Sequence, residues 1–596
     1  MTFPPLADRL VAVADRQPEA PFLHRPGRAA VSYGALSGQI RHVRERLRSW
    51  GFAPGDVVAG FVPSRAPMAM ACASLPSSAT FAPLSASLAA DAYAALLGRL
   101  RPGAVLAPAE ADHPLRIAAA TLGVPAIRAE CGEDGTFALE MEAEERNAVE
   151  PLARPEHAYV LVTSGTTGRP KLAPLGHAQM LGFADAMIGL LRLTPDDVGC
   201  ALTPFSLAGG VRTSILIPAL SGSSVVCLGE GDVDGVFRAI DEFRPTNLAA
   251  PFSIHRGVLR RAHAFPDQVA ASRFRFLRTT AGRLDPDEID EIERLFRAPV
   301  LQGYGSTEVC GIAHEPMPPR PRKRGSVGIA VGGDVRALDA DGRPCAPGEP
   351  GELVVRGPLV FDGYLDDPDL TARSFAGEWF RTGDVGHVDE DGCVFITDRL
   401  AELINRGGEK ISPVEIDRTI EALPGVREAG SFGVPHPILG EELVAAVVLD
   451  AGTTIREADI LAHVRDRLGQ RQVPRRVYLV DALPRTEAGK LKRRSLAERF
   501  GIDVDPPSSA PEIATTASPL ESALAGLWSA VLRRDRVHRD DDFFLLGGDS
   551  MSAAELLRQV SAVFGATLPL HAMFEGAATP AGMARAIERS RAGTHP

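Results

Sequence analysis

Lysine is scarce in this chain, supplying five of the 64 Lys and Arg residues (Lys171, Lys323, Lys410, Lys490 and Lys492). No long basic run occurs, and the net charge is −12 with a pI near 5.7. Nucleic acid is thereby excluded as the main partner, because a phosphate backbone demands clustered positive charge. No stretch approaches the roughly 18 consecutive apolar residues of a membrane span. Acids interrupt the opening "MTFPPLADRLVAVADRQPEA", where a signal peptide needs an unbroken apolar core. A cytoplasmic protein with no membrane partner is expected. The seven cysteines (Cys72, Cys131, Cys200, Cys227, Cys310, Cys345 and Cys393) show no CxxC or other metal-ligand spacing. That pattern points to reduced thiols that pack as small apolar side chains.

What is present is enough apolar sequence for several cores. At 596 residues and 45% hydrophobic content, roughly three to five folding units are expected. "DVVAGFV" and "GAVLAPA" predict buried strands with a helix, "YAALLGRLR", between them, which argues for parallel α/β layers. From about residue 325 to 397 the texture changes to apolar strands joined by Asp-Gly turns, "ALDADGRP" and "VDEDGCVFIT". Such turns predict hairpins and a small antiparallel or barrel-like piece. Residues 501–517, rich in Pro, Ser, Ala and Thr without apolar periodicity, read as a linker. Beyond it, Ser518 as N-cap, Pro519 at the first helical position and Glu521 three after the cap predict a helix start. Leu520, Leu524, Leu527, Trp528 and Val531 then share one helical face, and an all-α four-helix domain over 518–592 is expected.

The stretch "VLVTSGTTGRPKLAP" places Thr163, Ser164, Gly165, Thr166, Thr167 and Gly168 between an apolar run and Lys171. Glycines allow backbone N–H groups to face an anion, hydroxyls add donors and a lysine supplies charge, so this is a phosphate-binding loop by chemistry. It lacks the spacing of a Walker loop.

This loop resembles that of the adenylate-forming enzymes: acyl- and aryl-CoA ligases, adenylation domains of nonribosomal peptide synthetases, and luciferases. "LQGYGSTEV", "GELVVRGP", "WFRTGDVG", "DRLAELINRGGEKISPVEI" and "LPRTEAGKLKRR" follow in the family's order, so the resemblance covers about residues 1–500. It implies a large N-terminal α/β subdomain with a small β-barrel over 1–397, and a small mobile α/β subdomain over 398–500. It implies that ATP is bound by residues 163–168, Lys171, Gly282, Gly303, Tyr304, Thr307 and Asp384. In that scheme Tyr304 offers a face for adenine and Asp384 accepts from the ribose hydroxyls. Glu308 would hold Mg²⁺, a hard cation that prefers a carboxylate and triphosphate oxygens. Arg399 would fix ribose and phosphate from the small subdomain. Lys490 would bridge the substrate carboxylate and the α-phosphate, a place that suits a compact ammonium better than a planar guanidinium. After adenylate formation the small subdomain would rotate about Ala401, bringing Gly407 and Gly408 to line a thiol tunnel. Lys410 lies in that glycine loop, Lys323 is expected to be a solvated surface charge, and Lys492 an exposed neighbour of Lys490.

The segment "DDFFLLGGDSMSAAELL" resembles the attachment motif of carrier proteins, in which the serine, here Ser550, receives phosphopantetheine. That implies a phosphopantetheinyl transferase and a downstream condensing, modifying or transfer enzyme as partners.

Two departures from the family pattern matter. Ala401 stands where the hinge residue is usually Asp or Lys, which leaves backbone rotation free but removes a side-chain latch. Ala208 stands where amino-acid-activating domains place an Asp, and Leu207 replaces the histidine common in CoA ligases. No carboxylate in "LTPFSLAGGVRTS" could pair with an α-ammonium, and an unpaired buried ammonium costs several kcal/mol. A carboxylic acid without an α-amine is therefore expected in a pocket formed by Phe205, Leu207, Ala208 and His255. Arg212 and His255 are candidates for contacting a polar or second acidic group, against core or surface roles. The expected activity is ATP-dependent acyl-AMP formation and transfer to the thiol on Ser550. An acid:CoA ligase with an accessory helical domain and a non-catalytic carrier scaffold stand as the alternatives.

Overall fold

The computed structural model describes residues 5–592 except 148, 164–169, 283, 407–408, 437–439, 451, 470–471, 487–489, 494–495, 500–517, 533, 535–536, 545, 547, 549, 567 and 574–575. Two compact units emerge: Met1–Ala401 with Arg485–Lys492, and Glu402–Pro484 with Arg493–Pro596. The break falls directly after Ala401, so Arg399 and the Lys490 hairpin both group with the larger unit.

The larger unit is α/β. Its seven-stranded sheet runs Phe137–Met141, Ala126–Cys131, Ala104–Leu106, Val57–Gly60, Thr80–Pro83, His157–Thr163 and Lys171–Gly176. The inner pairings are parallel and both edge pairings antiparallel. The two strands expected from "DVVAGFV" and "GAVLAPA" pair parallel at its centre, and the helix between them spans Ala90–Leu100. Every residue of Val57–Gly60 and Ala104–Leu106 is buried, which explains why these strands carry apolar runs and no alternation. A second sheet sets Asn247–Pro251, Phe276–Thr280 and Val300–Tyr304 parallel, then adds Ala313–His314 and Ile329–Ala330 antiparallel.

The change of texture near residue 325 is a five-stranded antiparallel sheet built on Asp334–Leu338, Gly351–Arg356, Phe375–Ala376, Trp379–Val388 and Val394–Arg399. Its two Asp-Gly turns share one device. Asp339 Oδ1 accepts from the N–H groups of Asp341 and Arg343, and Asp389 Oδ1 from those of Asp391 and Cys393. Gly342 and Gly392 then take positive φ (79° and 77°), a conformation that costs glycine nothing. Lys323 is more engaged than a solvated charge, since its ammonium pairs with both Asp389 and Asp391 at the surface.

In the smaller unit, Glu409–Ile411, Ile404–Arg406, Gly440–Leu449 and Val426–His436 form an antiparallel sheet, with Val477–Leu479 parallel to Gly440–Leu449. Arg493 is buried there between Asp417 (2.8 Å) and Glu402 (3.2 Å). The C-terminal part has the helices Pro519–Leu532, Ser550–Phe564 and Pro580–Ala592 and the 3₁₀ turn Leu570–Met573, around a core that includes Trp528, Phe543, Leu556 and Ile587. The capping box is formed: Glu521 N–H donates to Ser518 Oγ at 3.2 Å, and Ser518 N–H to Glu521 Oε2 at 2.7 Å.

One buried carboxylate ties the second sheet to its surroundings. Asp197, 2% exposed, accepts from Arg275 Nη1 with both oxygens at 2.6 Å, from Thr246 Oγ1 at 2.6 Å and from Thr194 N–H at 2.9 Å. Removing one partner of such a pair leaves the other charge uncompensated. Asp197→Ala is expected to destabilise the larger unit by about 3 kcal/mol, read as a fall of several degrees in its melting temperature.

Candidate active site

Two carboxylates, each held by a tyrosine hydroxyl, define the site in the larger unit. Tyr304 ends the strand Val300–Tyr304, and its Oη donates to Asp384 Oδ2 at 2.5 Å. The other oxygen, Oδ1, accepts from Arg399 Nε at 2.7 Å. Asp384 lies on Trp379–Val388 and pairs in register with Arg399 on Val394–Arg399, so the antiparallel ladder itself brings acid and base together. Each carboxylate oxygen keeps a second lone pair, which leaves Asp384 able to accept from a diol. Burial, and then the neighbouring Asp384, push the Tyr304 phenol well above its ordinary pKa, so it stays a donor.

The second carboxylate is Glu308. The loop after Tyr304 is stitched by Ser306 N–H to the Val309 carbonyl (3.1 Å) and by Phe361 N–H to the Glu308 carbonyl (2.9 Å). That second bond carries Tyr364 in, and its Oη donates to Glu308 Oε1 at 2.6 Å. Lys171 Nζ sits 3.5 Å from the same hydroxyl and 5.0 Å from the Tyr364 ring centroid. Thr163 and Lys171 are cross-strand partners at the mouth of the hairpin. Ser164, Gly165, Thr166, Thr167 and Gly168, the body of the expected phosphate loop, lie outside the described residues. A half-buried carboxylate oxygen with a fixed partner is the hard donor that Mg²⁺ prefers, so the donor set fits this ion.

Thr307 is half-buried between Ser306 and Glu308. Gly282 follows Ala281, which takes φ +62°, a sparsely populated state for a residue with a side chain. A Cβ at Gly282 would lie 2.3 Å from the Phe252 ring, and one at Gly303 would lie 2.9 Å from the His314 ring. Lys490 lies in a hairpin closed by the Arg485–Leu491 bridge, with Thr486 Oγ1 accepting from Lys490 N–H (3.1 Å). Gly407 and Gly408 lie outside the described residues, and Ala401 is exposed at the division between the units. Gly548 packs against Phe543, and the 15-residue helix that follows begins at Ser550.

The expected acid pocket is only partly assembled around one opening. Phe205 lines a cavity of about 450 Å³ together with Phe61, Arg65, Met68 and Ile254. The Arg65 guanidinium lies 4.0 Å from the Phe205 ring centroid and donates to the carbonyls of Ala201 and Thr203, which fixes that wall. Leu207 and Ala208 instead begin the short helix Ala208–Val211, outside the cavity lining. Gly210 in that helix has no room for a side chain, since a Cβ would lie 2.0 Å from the Pro204 carbonyl. His255 is fully buried in the core, its Nε2–H donating to the Arg278 carbonyl at 3.0 Å.

Tyr364 bonds to Glu308, and Arg278 and His314 lie beside Gly303; none of the three was singled out from the sequence. For Arg278 a signal existed, an arginine directly after the apolar pair Phe276 and Leu277 in the strand "FLRTT". Tyr364 sits in "FDGYLDD", where nothing local separates a tyrosine that holds Glu308 from a loop aromatic.

Fold and site together define an ATP-dependent acid–thiol ligase of the AMP-forming kind. The chain matches the AMP-binding enzyme family over residues 10–365, the AMP-binding enzyme C-terminal domain over 415–490 and the phosphopantetheine attachment site over 522–587. It belongs to the AMP-binding enzyme family, with a carrier domain fused behind it. It is 33% identical over 506 residues to an oxalate–CoA ligase of Arabidopsis thaliana, covering 83% of this chain and 98% of the relative. A feruloyl-CoA synthase of Amycolatopsis sp is 31% identical, with 80% and 95% covered. The crystal structure of ATP-bound MatB from Rhodopseudomonas palustris superposes with a TM-score of 0.75 at 26% identity, covering 83% of this chain and 99% of the other. No helix among the described residues is long and apolar enough to cross a membrane.

Two predictions follow from the geometry. Tyr304→Phe removes the donor to Asp384, and a hydrogen bond to a charged group is worth about 1.5–3 kcal/mol, so the KM for ATP should rise roughly tenfold with little change in folding. The second concerns pH. Burial holds His314 at about 3, and His255 and His177 at about 4, all below the ordinary 6.5. The unfolded chain therefore binds more protons than the folded one below pH 6.5. These histidines should make stability fall as pH drops from 6.5 towards 4, opposed between about 7 and 4.5 by Glu315, which burial raises to about 7, and His314→Gln should lessen the fall in thermal melts.

Proposed function

We propose that this chain activates a carboxylic acid without an α-amine as its acyl-AMP and passes the acyl group to phosphopantetheine on its own Ser550. The loaded carrier would prime a nonribosomal peptide or polyketide type of pathway in secondary metabolism. The observation that carries this reading is the fusion itself: adenylate-forming and carrier modules follow one another in one chain. Absence of any carboxylate across residues 202–214 speaks against an α-ammonium. The names of the curated relatives, oxalate–CoA ligase and feruloyl-CoA synthase among them, are also those of acids without an α-amine.

In the first step a carboxylate oxygen attacks the α-phosphorus of ATP, an O–P bond forms, and the bond to pyrophosphate breaks. Two anions must meet, so the residues of this chain have to offset charge and hold geometry. Asp384, set by Tyr304 and Arg399, would hold the ribose diol, and Arg399 would keep a positive charge beside it. Lys171 and the loop before it would bind the outer phosphates. Glu308, fixed by Tyr364, would hold Mg²⁺, which when bound draws charge off the triphosphate. Lys490 would bind the incoming carboxylate and the α-phosphate together. In the second step the phosphopantetheine thiol on Ser550 would attack the acyl carbon, so that a C–S bond forms, the bond to AMP breaks, and AMP leaves as the thiol gives up its proton. A transferase that installs the arm and an enzyme that consumes the thioester are the required partners.

After phosphopantetheinylation, incubation with ATP, Mg²⁺ and a panel of acids should add one acyl mass to the chain, read by intact mass spectrometry. Lys490→Ala should slow adenylate formation by about a hundredfold or more. Ser550→Ala should leave ATP–pyrophosphate exchange intact and abolish the mass increment. The CoA-ligase kinship of the relatives favours a second reading, with free CoA as acceptor. Efficient acyl-CoA formation that is indifferent to Ser550→Ala would decide for it.

A further inference from the structure

Two guanidinium groups are buried beside the loop that carries Tyr304 and Glu308, and among the described residues no carboxylate meets either. Arg212 opens the π-helical turn Arg212–Leu216 directly after Ala208–Val211, and Arg278 lies within the strand Phe276–Thr280. They are 7% and 5% exposed. Arg278 Nε donates to His314 Nε2 at 2.7 Å and Nη1 to Thr213 Oγ1 at 3.1 Å. His314 Nδ1 is 2.6 Å from the Glu315 carbonyl. Because a carbonyl only accepts, the proton sits on Nδ1 and leaves Nε2 as the neutral acceptor for Arg278. Arg212 Nη2 donates to the Ser306 carbonyl at 3.1 Å, and its guanidinium lies 5.5 Å from the Phe183 ring centroid. Arg212 Nη1 is buried without a hydrogen-bond partner among the described residues. Among the described residues the hydrogen-bond and ring partners of this pair are therefore neutral, an imidazole, a hydroxyl, a carbonyl and an aromatic face, while the two positive charges repel one another. Among the described residues, no Asp or Glu lies within ion-pair distance of either guanidinium.

Other buried guanidinium groups are fully engaged: Arg493 has Asp417 and Glu402, and Arg25, 8% exposed, gives its protons to the carbonyls of Ala29 and Glu133, so that neither keeps a buried nitrogen without a partner as Arg212 does. An ion taken out of water costs several kcal/mol unless an opposite charge meets it, and guanidinium is the group whose planar fork matches a carboxylate or a sulfonate. The π-helical turn matters too, because such turns are uncommon and gather at functional sites. Through Ser306, Arg212 touches the loop two residues from Glu308, close to where the nucleotide would be held. The phosphates already have Lys171 and Glu308's metal position, and the reacting carboxylate has Lys490.

We infer that Arg212 and Arg278 form the recognition site for a second anionic group on the acid, so that the substrate is a dianion: a dicarboxylate, or a carboxylate bearing a sulfonate. This rests on the reading of the chain as an acid-activating enzyme and adds the chemical class of the acid. The substrate supplies the counter-charge that the fold withholds. An acid without that second charge leaves the two guanidinium groups unpaired and forfeits the binding energy.

The test uses the full-length protein and ATP–pyrophosphate exchange. Acids matched by carbon count are compared: acetate, propionate, butyrate and pentanoate; malonate, succinate and glutarate; and sulfoacetate with 3-sulfopropionate. At least one dianion should exceed the monoanion of equal carbon count by about a hundredfold in kcat/KM, the scale on which a buried charge pair discriminates. The dicarboxylate and sulfonate arms separate the two sources of the second charge. Arg212→Met should lose that preference, while its unliganded melting temperature stays the same or rises, because an unpaired buried charge has been removed. The preferred dianion alone, without ATP, should raise the melting temperature of the wild type and leave that of Arg212→Met unmoved; Arg278→Met provides the same comparison at the second group. Monoanions activated as well as dianions, or dianion activation untouched by both variants, would overturn the inference and leave acid activation standing. Exchange with no acid at all overturns it as well. Arg212-dependent dianion exchange without any acyl mass on the carrier supports the inference and counts instead against delivery to Ser550.

Discussion

The rest of the site depends on holding two carboxylates, Asp384 and Glu308, in fixed positions. Free acidic side chains beside a triphosphate would repel it or swing away. Here each is pinned by a phenol: Tyr304 on Asp384 and Tyr364 on Glu308, at 2.5 and 2.6 Å. Those hydroxyls keep their protons because burial and the adjacent carboxylate both oppose ionisation. Arg399 then balances Asp384, and Lys171 reaches the phenol that holds Glu308. The acids are thus directed outward to ligands by groups that cannot themselves become anionic.

Charge is handled differently at the paired ions of the framework and around Arg212 and Arg278. In the framework, buried ions are closed circuits: Asp197 is saturated by Arg275, Thr246 and Thr194, and Arg493 by Asp417, Glu402 and the Ser431 carbonyl. Such groups hold segments together and have nothing left to offer a ligand. In the segment Ala208–Leu216 and the strand beneath it, two arginines are left with neutral partners. A fold that satisfies its charges in one region and withholds satisfaction in another stores binding energy for what arrives there.

Much of the architecture was legible because it is written in local chemistry. The D-x-D-G turns announce hairpins since the first Asp caps the turn and the Gly takes positive φ. The S-P-x-E start of the last domain closes as a capping box. Apolar runs such as "VVAG" lie in parallel strands buried on both faces. The site was less legible. Tyr304 and Asp384 stand in quotable motifs, but Tyr364 reaches Glu308 only because Phe361 bonds to the Glu308 carbonyl, 53 residues away in sequence numbering (308 to 361). His255 follows a strand near the expected pocket, yet its ring turns into the core to meet the Arg278 carbonyl. A one-dimensional pattern cannot tell which face of a helix the core will claim.

The amino-acid order by itself determined the reaction class and the order of modules, since turn chemistry, a glycine- and hydroxyl-rich anion loop and five ordered motifs are properties of short stretches. It also determined that no carboxylate would sit in residues 202–214 to meet an ammonium. Only the tertiary structure decided that Arg212 and Arg278, 66 residues apart in numbering (212 to 278), share one buried neighbourhood around Thr213. Whether a charge is paired depends on which distant side chains the packing brings within a few ångströms, and that is settled by the sheet and helix contacts of the whole unit.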